Sequence, residues 1–410
     1  MSSRTPSRLA LLLMIILQSW RWLIPRKKPK DPKTIWIVHQ LLLGDTIMLT
    51  GLLAKIRANY PHAKIIMIAN PNFATLYQKK LYQYPFDKGQ CNQEQRHQNQ
   101  AYNVQYWGYN PRNFCSFVRL FLLPKPDWAL VPGDNRYGWL AFVRGAKWTI
   151  GFTGDRPAYK QWCFNELLAL PKQATAVTDM MQQLCTGKEA PPYQPKQWKI
   201  YNHQRLPAYS YRNDQAPNII DLESPSTENE YTNNKILFHL GAKSATKHWS
   251  TENWLALADY FKQQNKQVIL SAGKGETAQL DEIQKISNLP SYRANLSLLQ
   301  LIEIMQNVEL IVCLDNGIGQ LAKVIATPTV CLFGAGSTTL FAEAKFWQDI
   351  PYRSVTTAME CRDTHLLFKR EIDWVQTCNR SIQDCVHQKP ICMQNIAVKQ
   401  VIDACEKFQH

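Results

Sequence analysis

ELIVCLDNGIGQLAKVIATPTVCLFG, residues 309–334, decides the fold. Two short apolar runs, LIVCL and TVCLF, flank IGQLAKVIA, whose apolar positions recur at helical spacing. Strand, helix and strand in so short a span predict an α/β unit with a parallel sheet. The first strand ends in Asp315-Asn316-Gly317, which places polar groups at the start of the helix.

Working outward, the same alternation covers most of the chain. KILFHLGA (235–242) reads as a strand, STENWLALADYF as a helix with Ser250 as N-cap, and QVILSAG as a strand. A helix near 276–287 and the helical LLQLIEIMQN lead back to the opening stretch, with TPTVCLFG the last strand of that set. Towards the N-terminus, IWIVHQLL (35–42) runs into a helix with Leu49, Leu52, Leu53 and Ile56 on one face. KIIMIA (64–69), DWALVP (127–132) and KWTIGF (147–152) follow as strands. Residues 86–112 are polar and rich in Gln and Asn, and read as a loop or insertion. Apolar periodicity is lost over 196–234, the candidate linker. The expected organisation is a tail (1–30), a first domain (31–215), a linker (216–234), a second domain (235–392) and a C-terminal helix (393–410) packing back on the first domain. Two such halves place a ligand in the cleft between them, at the carboxyl ends of the strands.

The chain has 410 residues and a formal charge of +15, of which residues 1–30 supply seven Lys or Arg and no acid. The remainder is spread thinly, with no basic run interleaved with aromatics, which argues against a nucleic-acid partner. In the tail, Leu9 to Leu17 is apolar, but Gln18, Ser19 and Arg21 follow at once, which is short for a membrane span. No small-residue cleavage site follows either. Trp20, Trp22 and the RKKPK cluster suit a helix lying on an anionic lipid surface, with a span or a merely buried helix as alternatives. Eleven cysteines, several inside apolar strands such as Cys313 and Cys331, fit a cytoplasmic compartment. Together these lead to the expectation of a protein on the cytoplasmic face of a membrane, peripheral or monotopic.

Four pieces carry chemistry: Gly44-Asp45 after the first strand, HLGAKSATKHWSTENW (239–254), SAGKGE (271–276) and CLDNGIGQLAKVIATPTVCLFG (313–334). In this order they resemble the lipopolysaccharide heptosyltransferases, glycosyltransferase family 9, over roughly residues 34–393. The resemblance implies a GT-B fold: two Rossmann-like domains with parallel sheets facing across a cleft, here with an added N-terminal membrane-associated helix. It also implies inverting, cofactor-free transfer of heptose from ADP-heptose to a hydroxyl of the lipopolysaccharide inner core. The partners would be the nucleotide-sugar donor, a lipopolysaccharide core or lipid A acceptor, and an anionic membrane surface.

Read as residues, Asp45 is equally a helix cap and a base that takes a proton from an attacking hydroxyl. The family places its base at this Gly-Asp, and Gly44 and Thr46 beside it would meet the acceptor. Ser244 and Thr246 suit the oxygens of a diphosphate, and Lys247 would stabilise the departing nucleotide. Without the resemblance, Lys247 is an exposed lysine before a buried tryptophan. Gly273-x-Gly275-x-x-Ala278 imitates a dinucleotide fingerprint, but YRANLSLL lacks the acid that a ribose would need about 20 positions on. By resemblance Glu276 holds the donor ribose instead. Asp315, Asn316, Gly317 and Gln320 would line the donor site, or else form a capped turn between core elements. Here the chain departs from the family pattern Asp-Thr/Ser-Gly-x-x-His, with Asn316 and Gln320, and from its Phe-Gly-Pro, with Ala335. These departures leave open another nucleotide-activated sugar on a cell-surface glycolipid, or a catalytically impaired, membrane-tethered binding protein. No Asp-x-Asp occurs, which fits transfer without a metal. Cys361, Cys378, Cys385 and Cys392 lack the short pairs of a zinc site and read as packed thiols, with a disulfide or zinc as alternatives.

Overall fold

The computed structural model describes residues 5–77, 101–195, 234–292 and 296–408. The chain divides into two units, Met1–Asn202 with Leu366–Trp374, and His203–His365 with Val375–His410. The expected linker, apart from Asn234, lies outside the described residues, as does 86–100 of the expected loop.

In the first unit the continuous apolar runs form strands because both faces of the sheet are covered. Strands β1 (Thr34–Val38), β2 (Lys64–Ala69), β3 (Val104–Gly108), β4 (Trp128–Val131), β5 (Trp148–Phe152) and β6 (Glu166–Leu168) build a parallel sheet in the order β3-β2-β1-β4-β5-β6. Ile35 stands level with Ile65 on one side and Trp128 on the other. β3 corrects the expectation of a loop through 112. Its VQYWG sits at the sheet edge, only partly buried, and so lacks a continuous apolar signature. Helices α1 (Thr5–Leu17), α2 (Leu43–Met48), α3 (Thr50–Asn59), α4 (Phe114–Val118), α5 (Gly138–Arg144) and α6 (Val177–Met181) surround this sheet. α5 lays Leu140, Ala141 and Val143 into a core with Trp36, Val38 and Ile68.

The N-terminal tail is a folded part of this unit. Ala10, Leu11, Met14 and Ile15 of α1 pack against the α5 core. Beyond the helix, the buried Arg21 donates to the carbonyls of Phe142 and Ala146, and Gln18 to that of Val143. These carbonyls lie in the last turn of α5 and just beyond it, where backbone acceptors outnumber helical donors. Among the described residues no helix is long and apolar enough to cross a membrane.

The second unit repeats the plan. Strands β7 (Lys235–His239), β8 (Gln267–Ser271), β9 (Leu310–Leu314), β10 (Thr329–Phe333) and β11 (Tyr352–Thr356) form a parallel sheet in the order β11-β10-β9-β7-β8. β10 is therefore not the last strand, as expected; the half-exposed YRSVT adds an edge. Helices α7 (Thr251–Gln263), α8 (Ala278–Ile286), α9 (Leu298–Gln306), α10 (Gly317–Ile325), α11 (Thr338–Phe341), α12 (Ile391–Gln394) and α13 (Val398–Glu406) complete it. Ser250 caps α7 as expected, its hydroxyl accepting from the Asn253 amide at 3.2 Å.

The C-terminal helix, expected on the first domain, belongs to the second unit. α13 packs on α7, β10 and β11 of its own unit, burying Val401 and Cys405. The Trp249 indole donates to the Ile396 carbonyl at 2.9 Å, and the Tyr260 hydroxyl to Glu406 at 2.8 Å. What rejoins the first unit is Leu366–Trp374, with the short antiparallel strands β12 (Leu366–Leu367) and β13 (Arg370–Glu371). The Arg370 side chain is 2% exposed. It donates to the carbonyls of Thr153 (2.9 Å) and Gly133 (3.0 Å) and to the Asn135 side chain (2.9 Å).

Candidate functional site

The predicted residues fall into two groups, one on each unit. Gly44, Asp45 and Thr46 lie on α2, directly after β1. The residue at the cap position is Leu42, extended and without a side-chain cap, so Asp45 is not the N-cap. It sits in the first turn, half-buried, where the helix dipole favours a carboxylate. Thr46, expected to meet substrate, is fully buried and its hydroxyl donates to the Leu42 carbonyl at 2.8 Å. That bond fastens the turn and removes Thr46 from any ligand. His39, at the end of β1, is buried, and burial lowers its pKa to about 3, so the imidazole is neutral. In the same unit an open cavity of about 670 Å³ lies beyond the end of β5, lined by Thr153, Gly154, Asp155, Arg156, Pro157, Ala158 and Gln161. Asp155 is buried there, accepting from Lys160 at 2.7 Å and from the Asn135 amide at 2.8 Å.

In the second unit the geometry is set by β7. Sequence neighbour β8 lies on one side of it and β9 on the other, which makes the β7–β9 boundary the point where strand order reverses. Loops leaving two such strands diverge and open a crevice at their carboxyl ends. Lys247, on the short turn Ala245–Lys247 after β7, reaches across it: its Nζ donates to the Asp315 carboxylate at 2.9 Å and the Asp315 carbonyl at 2.7 Å. The lysine side chain stays 30% exposed while the carboxylate is 10% exposed, so the ammonium remains within reach of a ligand. Asn316 braces the same boundary, donating to the Gly241 carbonyl at 2.6 Å.

Asn316 also caps α10. Its Oδ1 accepts from the amides of Ile318 (2.8 Å) and Gly319 (3.1 Å). With those two amides satisfied by its own cap, the helix start beside Gly317 acts as a brace. Gln320 is likewise withdrawn: it is 3% exposed and donates to the Phe341 carbonyl at 2.9 Å. Ser244 and Thr246 hydrogen-bond each other at 2.7 Å, with Thr246 buried and Ser244 half-buried. Glu276, after β8, folds its carboxylate over the glycines at 241 and 273. A Cβ on Gly241 would stand 2.6 Å from Glu276 Oε2, and one on Gly336 only 2.1 Å from Asp315 Oδ2. Gly241 and Gly336 are thus site residues that the sequence reading passed over. The available signal was their place just past strand ends, where a missing side chain lets a carboxylate approach the backbone.

Cys361, Cys378, Cys385 and Cys392 converge on one closed cavity of about 20 Å³, together with Arg362, Arg380 and His387. All four are free thiols, which corrects the disulfide alternative. Among the described residues no group of three or more His, Cys, Asp or Glu is placed to hold a metal ion. Ala335, where the family pattern has proline, lines this cavity.

A model of glycosyltransferase family 9 (heptosyltransferase) matches residues 130–369. The chain belongs to glycosyltransferase family 9. No curated protein matches it by sequence. Among solved structures, a family 9 glycosyl transferase of Veillonella parvula DSM 2008 is similar with a TM-score of 0.57 at 15% identity, covering 93% of this chain and 98% of that one. E. coli ADP-heptose lps heptosyltransferase II gives 0.57 at 16%, covering 92% and 100%. E. coli heptosyltransferase WaaC with ADP-2-deoxy-2-fluoro heptose gives 0.58 at 12%, covering 90% and 99%. At such identities the likeness is one of fold: two parallel-sheet Rossmann-like domains of the GT-B type. The family 9 enzyme described here is a glycosyltransferase of heptosyltransferase type.

Proposed function

We propose that this family 9 glycosyltransferase transfers heptose from ADP-heptose to a hydroxyl of the lipopolysaccharide inner core, with inversion and without a metal. The observation that carries this reading is the Lys247–Asp315 pair at the β7–β9 boundary. It fixes a single ammonium at the crevice where a parallel sheet takes a nucleotide. ADP-heptose as donor is supported by the similar E. coli structures, whose descriptions name ADP-heptose or a fluorinated analogue of it.

The acceptor hydroxyl attacks the anomeric carbon and loses its proton to Asp45, while the bond from that carbon to the diphosphate breaks. ADP departs with the electron pair, and Lys247 stabilises the charge that accumulates on its phosphates. Asp315 holds the ammonium in place before the donor arrives, so little reorganisation is needed when charge develops. Glu276 accepts from the ribose hydroxyls. The assay is release of ADP and formation of glycosylated acceptor from ADP-heptose and heptose-free core lipid, with UDP- and GDP-sugars as competitors. Transfer from ADP-heptose alone is the expected result. Transfer from a different nucleotide sugar would reassign the donor. Tight ADP-heptose binding with no turnover would favour a binding role, which the buried Gln320 at the family's histidine position motivates.

A further inference from the structure

We infer that the outer face of α1 and the exposed stripe beginning at α4 form one docking surface for an anionic lipid bilayer, on which the first unit lies without spanning. This stands independently of the donor sugar. α1 is held on the domain by its inner face and by Arg21 and Gln18, yet Leu9, Leu13, Ile16 and Leu17 point away, each between 57% and 68% exposed. α4 touches α1, and Phe114, Val118 and Leu122 follow at intervals of four with 45%, 48% and 78% exposure. Isolated exposed leucines are ordinary, but two adjoining stripes on one unit make a continuous apolar surface.

Length and charge identify what covers it. α1 has 13 residues, about 20 Å of helix, against roughly 30 Å of bilayer hydrocarbon. It can lie in the interface but not cross it. Arg8, Arg112, Arg119 and Lys125 are exposed around the apolar stripes, and residues 5–30 and 111–126 contain no Asp or Glu. A second copy of the chain would bring like charges together, whereas anionic headgroups neutralise them.

The test is co-sedimentation of the full chain with phosphatidylglycerol-containing vesicles and with pure phosphatidylcholine vesicles, at low and high salt. Phe114→Glu/Val118→Glu and Leu13→Glu/Ile16→Glu are compared with wild type, each checked for an unchanged melting temperature and ADP affinity. Wild type should bind anionic vesicles at low salt, about tenfold more weakly to neutral ones, and each variant pair should lose about tenfold. Wild type remaining in the supernatant overturns the proposal. An α4 pair that binds like wild type overturns the shared surface. Light scattering that shows a dimer, broken by the same substitutions and accompanied by no vesicle binding, assigns the face to a second copy instead.

Discussion

At Asp45 the competing roles separate in one substitution. Leu42 occupies the cap position, so Asp45→Asn removes no N-cap, and loss of the carboxylate from the first turn should cost only about 0.3–1 kcal/mol. Loss of a positioned base should slow transfer by at least about a hundredfold. Near-normal turnover in Asp45→Asn would move the deprotonation elsewhere. At Lys247, substitution to Met keeps the apolar stem and removes the charge. One charge-assisted hydrogen bond is worth roughly 1.5–3 kcal/mol. ADP affinity should therefore fall about tenfold to a hundredfold, while adenosine changes by less than about threefold. Titration calorimetry with both ligands decides it, and equal losses would take the lysine away from the phosphates. That Asp45, Lys247, Glu276 and Asp315 lie in the turns that follow strands was legible because strand-end motifs are local, whereas their roles rest on the family resemblance. The pairing of Lys247 with Asp315 was not legible, since 68 positions separate them and only strand order brings them together. Thr46, Asn316 and Gln320 turn to backbone groups in this structure, because polar side chains at and just inside a helix start serve the backbone as readily as a ligand, and residue type does not distinguish the two.

The elements that could be read from sequence were those buried on both faces, such as IWIV and LIVCL. The strands that could not, β3, β6 and β11, are sheet edges with half-exposed residues, so pairing with a neighbour specifies them more than their own apolar content does. The destination of α13 was also hidden. Its apolar stripe announces a helix that must be covered, but a stripe does not say by which domain. Caps, by contrast, are local and testable. Ser250→Ala should cost about 0.5–2 kcal/mol through the lost bond to the Asn253 amide. Chemical denaturation should show that loss, with Ser250→Asp close to wild type; a neutral alanine would mean that packing of Trp254 and Phe261 alone holds α7 in place.

Both units bury a histidine at the end of their first strand, and the whole molecule should feel this as pH dependence. Burial lowers His39 to about 3 and His239 to about 4, against about 6.5 in an unfolded chain. Between those values the unfolded state binds more protons, so stability is full above about pH 6.5 and falls as pH drops towards 4. Together the two should cost about 4 kcal/mol by pH 5, at roughly 1.4 kcal/mol per pH unit each. Calorimetry from pH 7.5 to 5 should show it, with His39→Gln and His239→Gln each flattening the curve; a flat wild-type profile would contradict the burial argument. Arg370 ties residues 366–374 to the first unit in the same buried fashion. Arg370→Met should cost about 3–5 kcal/mol, since it strands three acceptors at about 1–3 kcal/mol for each that is buried, while Asp155 keeps Lys160. The position of that arginine has a temporal meaning. A ribosome that has finished Asn202 must still synthesise the chain through Trp374 before the first unit has all its parts. At about 5–20 residues per second the nascent domain waits roughly ten to thirty-five seconds. During that time the carbonyls of Gly133 and Thr153 lack their arginine.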